Sequence, residues 1–310
     1  MQPSDPDFLI EPADSPAPLV ITFGFAQWDV PVAFDFQGRL RKLEFLLGQK
    51  FHRIHLRDLS VSWYLHGVAG LGSNLLRTLD ALATQVRALA PTRVMTLGQS
   101  MGGYGAILYG LALGVDRIVA FGALSTMDPA VARAQRDSRW LSVMERLQAE
   151  GVRPERTDLV ALAAASARTL DLRLHYGELP DAPEHGALNL DLFHAARFAA
   201  LPGCVVHRHP QATHAPSLLL QAQRQLDAVL LRDLFDVDPA LVHQRFRPVL
   251  DDARLRTLAA QLLDGAAPED AVAALTEQGL HPVTARSAVA ELLRDPVFLA
   301  AMQRQNAAKH

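Results

Sequence analysis

The sequence is short of several residue types, and each shortage excludes something. Among 310 residues there is a single cysteine, Cys204, so no intrachain disulfide can form and a multi-cysteine zinc site is ruled out. Lysine occurs only at Lys42, Lys50 and Lys309, and the other basic residues are arginines, a bias that reads as genomic base composition. Lys and Arg total 30 against 33 Asp and Glu, a formal net charge of −3. Without a cationic excess there is no electrostatic basis for a general nucleic-acid or anionic-membrane binder, and a strongly anionic macromolecular substrate is disfavoured. No run approaches the ~18 uninterrupted apolar residues of a membrane-spanning helix. The first residues, MQPSDPDFLIEPADSPAP, lack the basic and apolar regions of a signal peptide, so a cytoplasmic location is expected. The composition, 49% hydrophobic and 20% charged, is that of a chain that folds around a core.

Six short apolar runs read as buried strands: Leu19 to Phe25, Phe51 to Asp58, Thr92 to Ser100, Arg117 to Ser125, Asp171 to Gly177 and Cys204 to Pro210. Helical patterns separate most of them, including Leu71 to Leu89 and the small-residue stretch Met101 to Gly114. This alternation predicts an α/β fold, a doubly wound, mostly parallel sheet with helices on both faces. Residues 1–18 read as a flexible lead and 19–235 as the α/β domain. Within it, 126–170 is longer than an ordinary connection and suits a small helical cap, or a crossover helix with a decorated loop. Beyond 235 the strand signals stop. Segments 251–263, 268–278, 282–293 and 296–303 each look helical, with Pro268, Pro282 and Pro296 near starts and Gly265 and Gly279 past ends. This 236–310 tail offers a surface for self-association or for docking a partner.

The most informative stretch is Gly98-Gln99-Ser100-Met101-Gly102, a G-x-S-x-G between a strand pattern and a helix pattern. A serine on so tight a turn carries strained backbone angles, and its flanking glycines let neighbouring chains approach. The turn also sets the hydroxyl at the positive end of a helix, where developing negative charge is favoured. With these residues the chain resembles the α/β-hydrolases, a likeness covering roughly residues 19–231 and including uncharacterised bacterial members.

That resemblance implies a nucleophile, an acid and a histidine in chain order, each following a strand. Ser100 would be the nucleophile. His207 and His209 share one strand face and come too early, whereas His214 lies in the loop before the next helix and suits the catalytic base. A zinc reading of His207, His209 and His214 is disfavoured because no carboxylate stands close by in sequence. The acid is open among Glu178, Asp181, Glu184 and Asp191. Spacing favours Asp181, while Asp191-Leu192-Phe193-His194-Ala195 resembles an Asp-x-x-His-Ala element whose aspartate stands where the acid belongs. Asp191 is therefore the first choice and Asp181 the alternative, with helix capping as the competing role for Asp191. On that reading His194 is a structural neighbour.

By the same resemblance, the N–H groups of Met101 and Phe25 would form the oxyanion hole, although Phe23 stands where the family usually has histidine. Arg57, Trp63 and Tyr64 follow the second strand run on the same sheet edge as Ser100 and are expected to line a substrate pocket, with packing as the competing role for the aromatics. The implied activity is hydrolysis of an ester or related acyl bond of a small molecule through an acyl-serine, with no cofactor and no metal. An acyltransferase with the same triad, or a binding protein that kept the fold without the chemistry, is the alternative.

Overall fold

A computed structural model of the chain describes residues 7–14, 16–26, 34–153, 157–180, 190–246, 252–280 and 282–308. The elements in order are β1 (Phe8–Glu11), β2 (Leu19–Phe23), α1 (Gln37–Leu47), β3 (His52–Leu56), α2 (Leu75–Leu89), β4 (Val94–Gln99), α3 (Met101–Leu113), β5 (Arg117–Phe121), α4 (Pro129–Ala134), α5 (Leu141–Ala149), α6 (Leu159–Ala164), β6 (Leu172–Gly177), α7 (Leu190–Ala199), β7 (Cys204–His209), α8 (Pro216–Ala222), α9 (Leu226–Phe235), α10 (Pro239–Phe246), α11 (Asp252–Leu263), α12 (Pro268–Glu277), α13 (Pro282–Leu292) and α14 (Pro296–Ala308).

The strands form one sheet in the order β1-β3-β2-β4-β5-β6-β7. Only β1 runs antiparallel; the other pairings are parallel. Phe8–Glu11 thus corrects the expectation of a flexible lead through residue 18: Phe8 and Ile10 pack on the core, and pairing with β3 takes up the edge. Every residue of β2 and β5 is buried, as expected of parallel strands covered on both faces. Between strands, α2 is amphipathic and its N-terminus is capped by the Asn74 side chain, which accepts the Arg77 N–H. In contrast α3 is apolar all round, and its first ten residues are buried, so it is a core helix. Its glycines permit this: a Cβ on Gly105 would collide with the rings of Tyr64 and Phe23.

Segment 126–170 carries the three short helices α4, α5 and α6. Trp140, Val143, Met144, Leu147, Leu159 and Ala163 belong to or pack against the main hydrophobic core. The chain divides into two compact units, Met1–Asp238 and Pro239–His310. The second holds α10 to α14 and has its own core, including Leu258, Leu262, Leu275, Val289 and Phe298. Helix α10 has no counterpart among the helical segments expected from the sequence. The architecture is a mostly parallel doubly wound sheet of the α/β-hydrolase type with additional C-terminal helices.

Candidate active site

Register brings the strand ends together. Gln99 at the end of β4 pairs with Phe121, Phe121 with His175, and Gly177 at the end of β6 with His209. The turn out of β4 carries Ser100 at φ 54° and ψ −121°, a conformation that L-residues rarely adopt. It is pinned on both sides: the Ser100 N–H donates to the Phe121 carbonyl at 2.8 Å, and the Ser100 carbonyl accepts the Tyr104 N–H at 3.0 Å. The glycines answer a steric demand. A Cβ on Gly98 would overlap the Gly102 carbonyl, and one on Gly102 would overlap the carbonyl of Phe23 at the end of β2.

Ser100 Oγ lies 2.7 Å from His214 Nε2, and His214 Nδ1 lies 2.8 Å from Asp191 Oδ2. His214 reaches this position from the loop after β7, which is seated on two more glycines. A Cβ on Gly122 would strike the His214 carbonyl, and one on Gly177 the Thr213 carbonyl. Asp191 stands in the first turn of α7 and is 2% exposed. Its other oxygen, Oδ1, accepts from Arg139 Nη1 at 2.8 Å. Arg139 in turn holds Asp137, with Nη2 to Oδ2 at 2.8 Å and Nε to Oδ1 at 3.0 Å.

Burial would raise the Asp191 carboxyl, but His214 and Arg139 together hold it at about 2, so it is ionised at neutral pH. Asp137 is likewise held well below the usual carboxylate range against the effect of burial, by His194 and Arg139. Two carboxylates facing one guanidinium leave one negative charge among these groups, which a protonated His214 would balance. Arg139 and Asp137 were missed by sequence reasoning because they lie far from Asp191 along the chain and belong to no motif.

Other expected site residues fall out differently. Asp181 and Glu184 lie outside the described residues. Glu178 pairs with Arg208 through Nε at 2.6 Å. His194, within α7, is buried, and its Nδ1 accepts the Ser125 N–H at 3.0 Å. Met101 is the first residue of α3, so its N–H has no acceptor within the helix. Phe25 follows β2 and, with Gln99 and Ser217, lines a cavity of about 210 Å³.

The pocket role expected for Trp63 and Tyr64 is corrected: both are 0% exposed. Trp63 packs edge-on against Trp140 with ring centroids 4.7 Å apart. Tyr64 packs on Phe23, and its hydroxyl donates to the Gly24 carbonyl at 2.7 Å. Val61, Trp63 and Tyr64 all have positive φ, and the Asp58 carboxylate holds the loop in that shape by accepting the N–H groups of Ser60, Ser62 and Tyr64. Arg57 pairs with Asp7 (Nε to Oδ1, 3.2 Å) and borders a cavity of about 530 Å³ with Asp58, Ser60 and His66. No described helix is long and apolar enough to cross a membrane.

No family model matches the chain, and no curated protein matches it. Among solved structures it is similar to the capsule O-acetyltransferase of Neisseria meningitidis serogroup A, at 15% identity and a TM-score of 0.48, over 72% of this chain and 90% of that one. It is also similar to FphF, a fluorophosphonate-binding serine hydrolase of Staphylococcus aureus, at 16% identity and a TM-score of 0.48, over 73% of this chain and 92% of that one. A third is XC6422 of Xanthomonas campestris, a serine hydrolase without a lid, at 16% identity and a TM-score of 0.40, over 75% of this chain and 90% of that one.

Proposed function

We propose that the chain is a serine hydrolase that cleaves an ester or related acyl bond of a small molecule through an acyl-serine intermediate. The observation that carries this reading is the continuous polar chain from Ser100 Oγ through the His214 ring to Asp191, with Ser100 on the strained turn into α3.

In the first half-reaction His214 Nε2 takes the Ser100 hydroxyl proton as Oγ bonds to the acyl carbon. The carbonyl oxygen becomes an oxyanion and accepts from the N–H groups of Met101 and Phe25, each such donor being worth about 3 kcal/mol in reactions of this type. His214 then hands its proton to the leaving oxygen, and the alcohol departs. Water repeats the sequence on the acyl-serine, releasing the acid and restoring the hydroxyl. Asp191 holds the Nδ1–H tautomer and balances the imidazolium, while Arg139 fixes the carboxylate from behind.

The test is steady-state hydrolysis of p-nitrophenyl acetate by the full chain. Ser100→Ala is expected to lower kcat/KM by at least about 10³-fold with the fold intact by circular dichroism. Activity within tenfold of the parent would refute the proposal.

A further inference from the structure

A second cluster of chemistry-bearing side chains lies in the same unit, and the serine chemistry uses none of it. His175 on β6 and His207 on β7 are register partners, so their side chains leave the sheet on one face about one strand spacing apart. The rings stack with centroids 4.7 Å apart and 17° between planes. Asp233 of α9 meets them: its Oδ2 is 2.9 Å from His175 Nε2, and its Oδ1 is 4.0 Å from His207 Nε2. His175 and Asp233 are both 0% exposed, and the His207 side chain is 29% exposed.

Neither Nε2 atom has a directional hydrogen bond, although both are buried. Asp233 Oδ2 is within reach of His175 Nε2 but off the line of an N–H bond. His175 Nε2 has the Asp233 carboxylate as an ion-pair partner and His207 Nε2 stands farther from it, so the carboxylate alone does not give both buried nitrogens a well-aligned hydrogen bond.

We propose that His175 Nε2, His207 Nε2 and Asp233 form a binding site for a divalent transition-metal cation of the zinc type, with solvent as the fourth ligand. Two neutral imidazoles and one carboxylate suit such an ion, and three protein ligands with one open position are a recurrent zinc arrangement. Ligands about 2.0–2.1 Å from a tetrahedral ion stand roughly 3.3 Å apart. The separations of 2.9 and 4.0 Å lie either side of that value, and because the two rings stack, the partly exposed His207 ring must turn out of the stack for both Nε2 lone pairs to meet one ion.

The outer contacts fit as well. His175 Nδ1 lies 3.0 Å from His209 Nε2, so a proton on Nδ1 leaves the Nε2 lone pair for the metal. Arg232 donates to both Asp233 oxygens at 2.8 Å, orienting the carboxylate and leaving each oxygen a further lone pair. The ion would tie β6 and β7 to α9.

The experiment uses the untagged full chain, stripped with EDTA, dialysed, and titrated with Zn²⁺ against a chromophoric chelator and separately with Co²⁺. The parent should take up one equivalent of zinc ahead of the chelator and show the visible absorption of tetrahedral cobalt. His207→Ala, checked for folding by circular dichroism, should weaken zinc binding on the order of 100-fold or more, and His209→Ala roughly tenfold. Fluorophosphonate labelling of His207→Ala should match the parent, which separates this site from the serine chemistry. Absence of chelator-competitive binding, parental affinity in His207→Ala, or cobalt bound only in octahedral form would overturn the proposal.

Discussion

The arginine behind Asp191 gives the sharpest physical prediction. Arg139 is 9% exposed and lies between the carboxylates of Asp137 and Asp191, 2.8 Å from each. Arg139→Met keeps the volume of the stem and removes the charge. Breaking a buried ion pair from one side costs about 3–5 kcal/mol, because the remaining charge stays buried. At about 2–4 °C per kcal/mol for a unit of this size, the melting temperature should fall by about 6–20 °C. The sign of the pH dependence also follows. In the parent, Asp191 is held at about 2, below its ordinary 3.8, a stabilisation that is present above about pH 4 and lost as pH falls through 2. In the variant, burial pushes the carboxyl up without the guanidinium to oppose it. The deficit against the parent should therefore be largest at neutral pH and shrink toward pH 5. Tryptophan fluorescence is the assay: all three tryptophans precede Pro239, so the signal follows unfolding of Met1–Asp238. A melting temperature within about 3 °C of the parent, or a deficit independent of pH, would refute the reasoning.

Other expectations follow from the same geometry. Asp191→Asn should lower kcat on p-nitrophenyl acetate by about 10⁴-fold while the protein still folds, since the imidazole loses its tautomeric anchor; a loss under tenfold would remove Asp191 from the site. Gly102→Ala drives a methyl group into the Phe23 carbonyl and should cost about 1–3 kcal/mol or prevent folding, read by urea unfolding; parental stability would contradict the close approach. Tyr64→Phe removes the hydroxyl from the peptide that carries the Phe25 N–H. It should cost about 1 kcal/mol in stability and lower kcat more than it changes KM; unchanged kcat would count against the proposed oxyanion role of Phe25. The Cys204 thiol, pushed by burial up to about 12, should react with a disulfide reagent at pH 8 only after unfolding, and fast reaction of the native chain would contradict that.

What the sequence made legible was local. The turn at Ser100 could be read because a strand, a G-x-S-x-G and a small-residue helix are contiguous, and the strand runs because parallel strands are apolar on both faces. The proposed acid was harder to single out, since a loop of unknown path follows β6 and spacing alone put Asp181 beside Asp191. Arg139 could not be read at all, being 52 positions from the carboxylate it holds. Trp63 and Tyr64 were misplaced for a different reason. Their position after β3 is near the right sheet edge, but their inward direction depends on three left-handed residues fixed by Asp58, which no periodicity signals. β1 escaped notice because four residues among prolines pair only through β3. His175, His207 and Asp233 are likewise brought together by strand register and helix packing, not by spacing.

The central claim is that Ser100 is a nucleophile activated by His214. Reaction of the full chain with a fluorophosphonate, read by intact mass and peptide mapping, tests it most directly. The account predicts one adduct on the parent, mapped to Ser100, none on Ser100→Ala, and strongly slowed labelling of His214→Ala. An unlabelled parent, or an adduct that persists in Ser100→Ala, would contradict it.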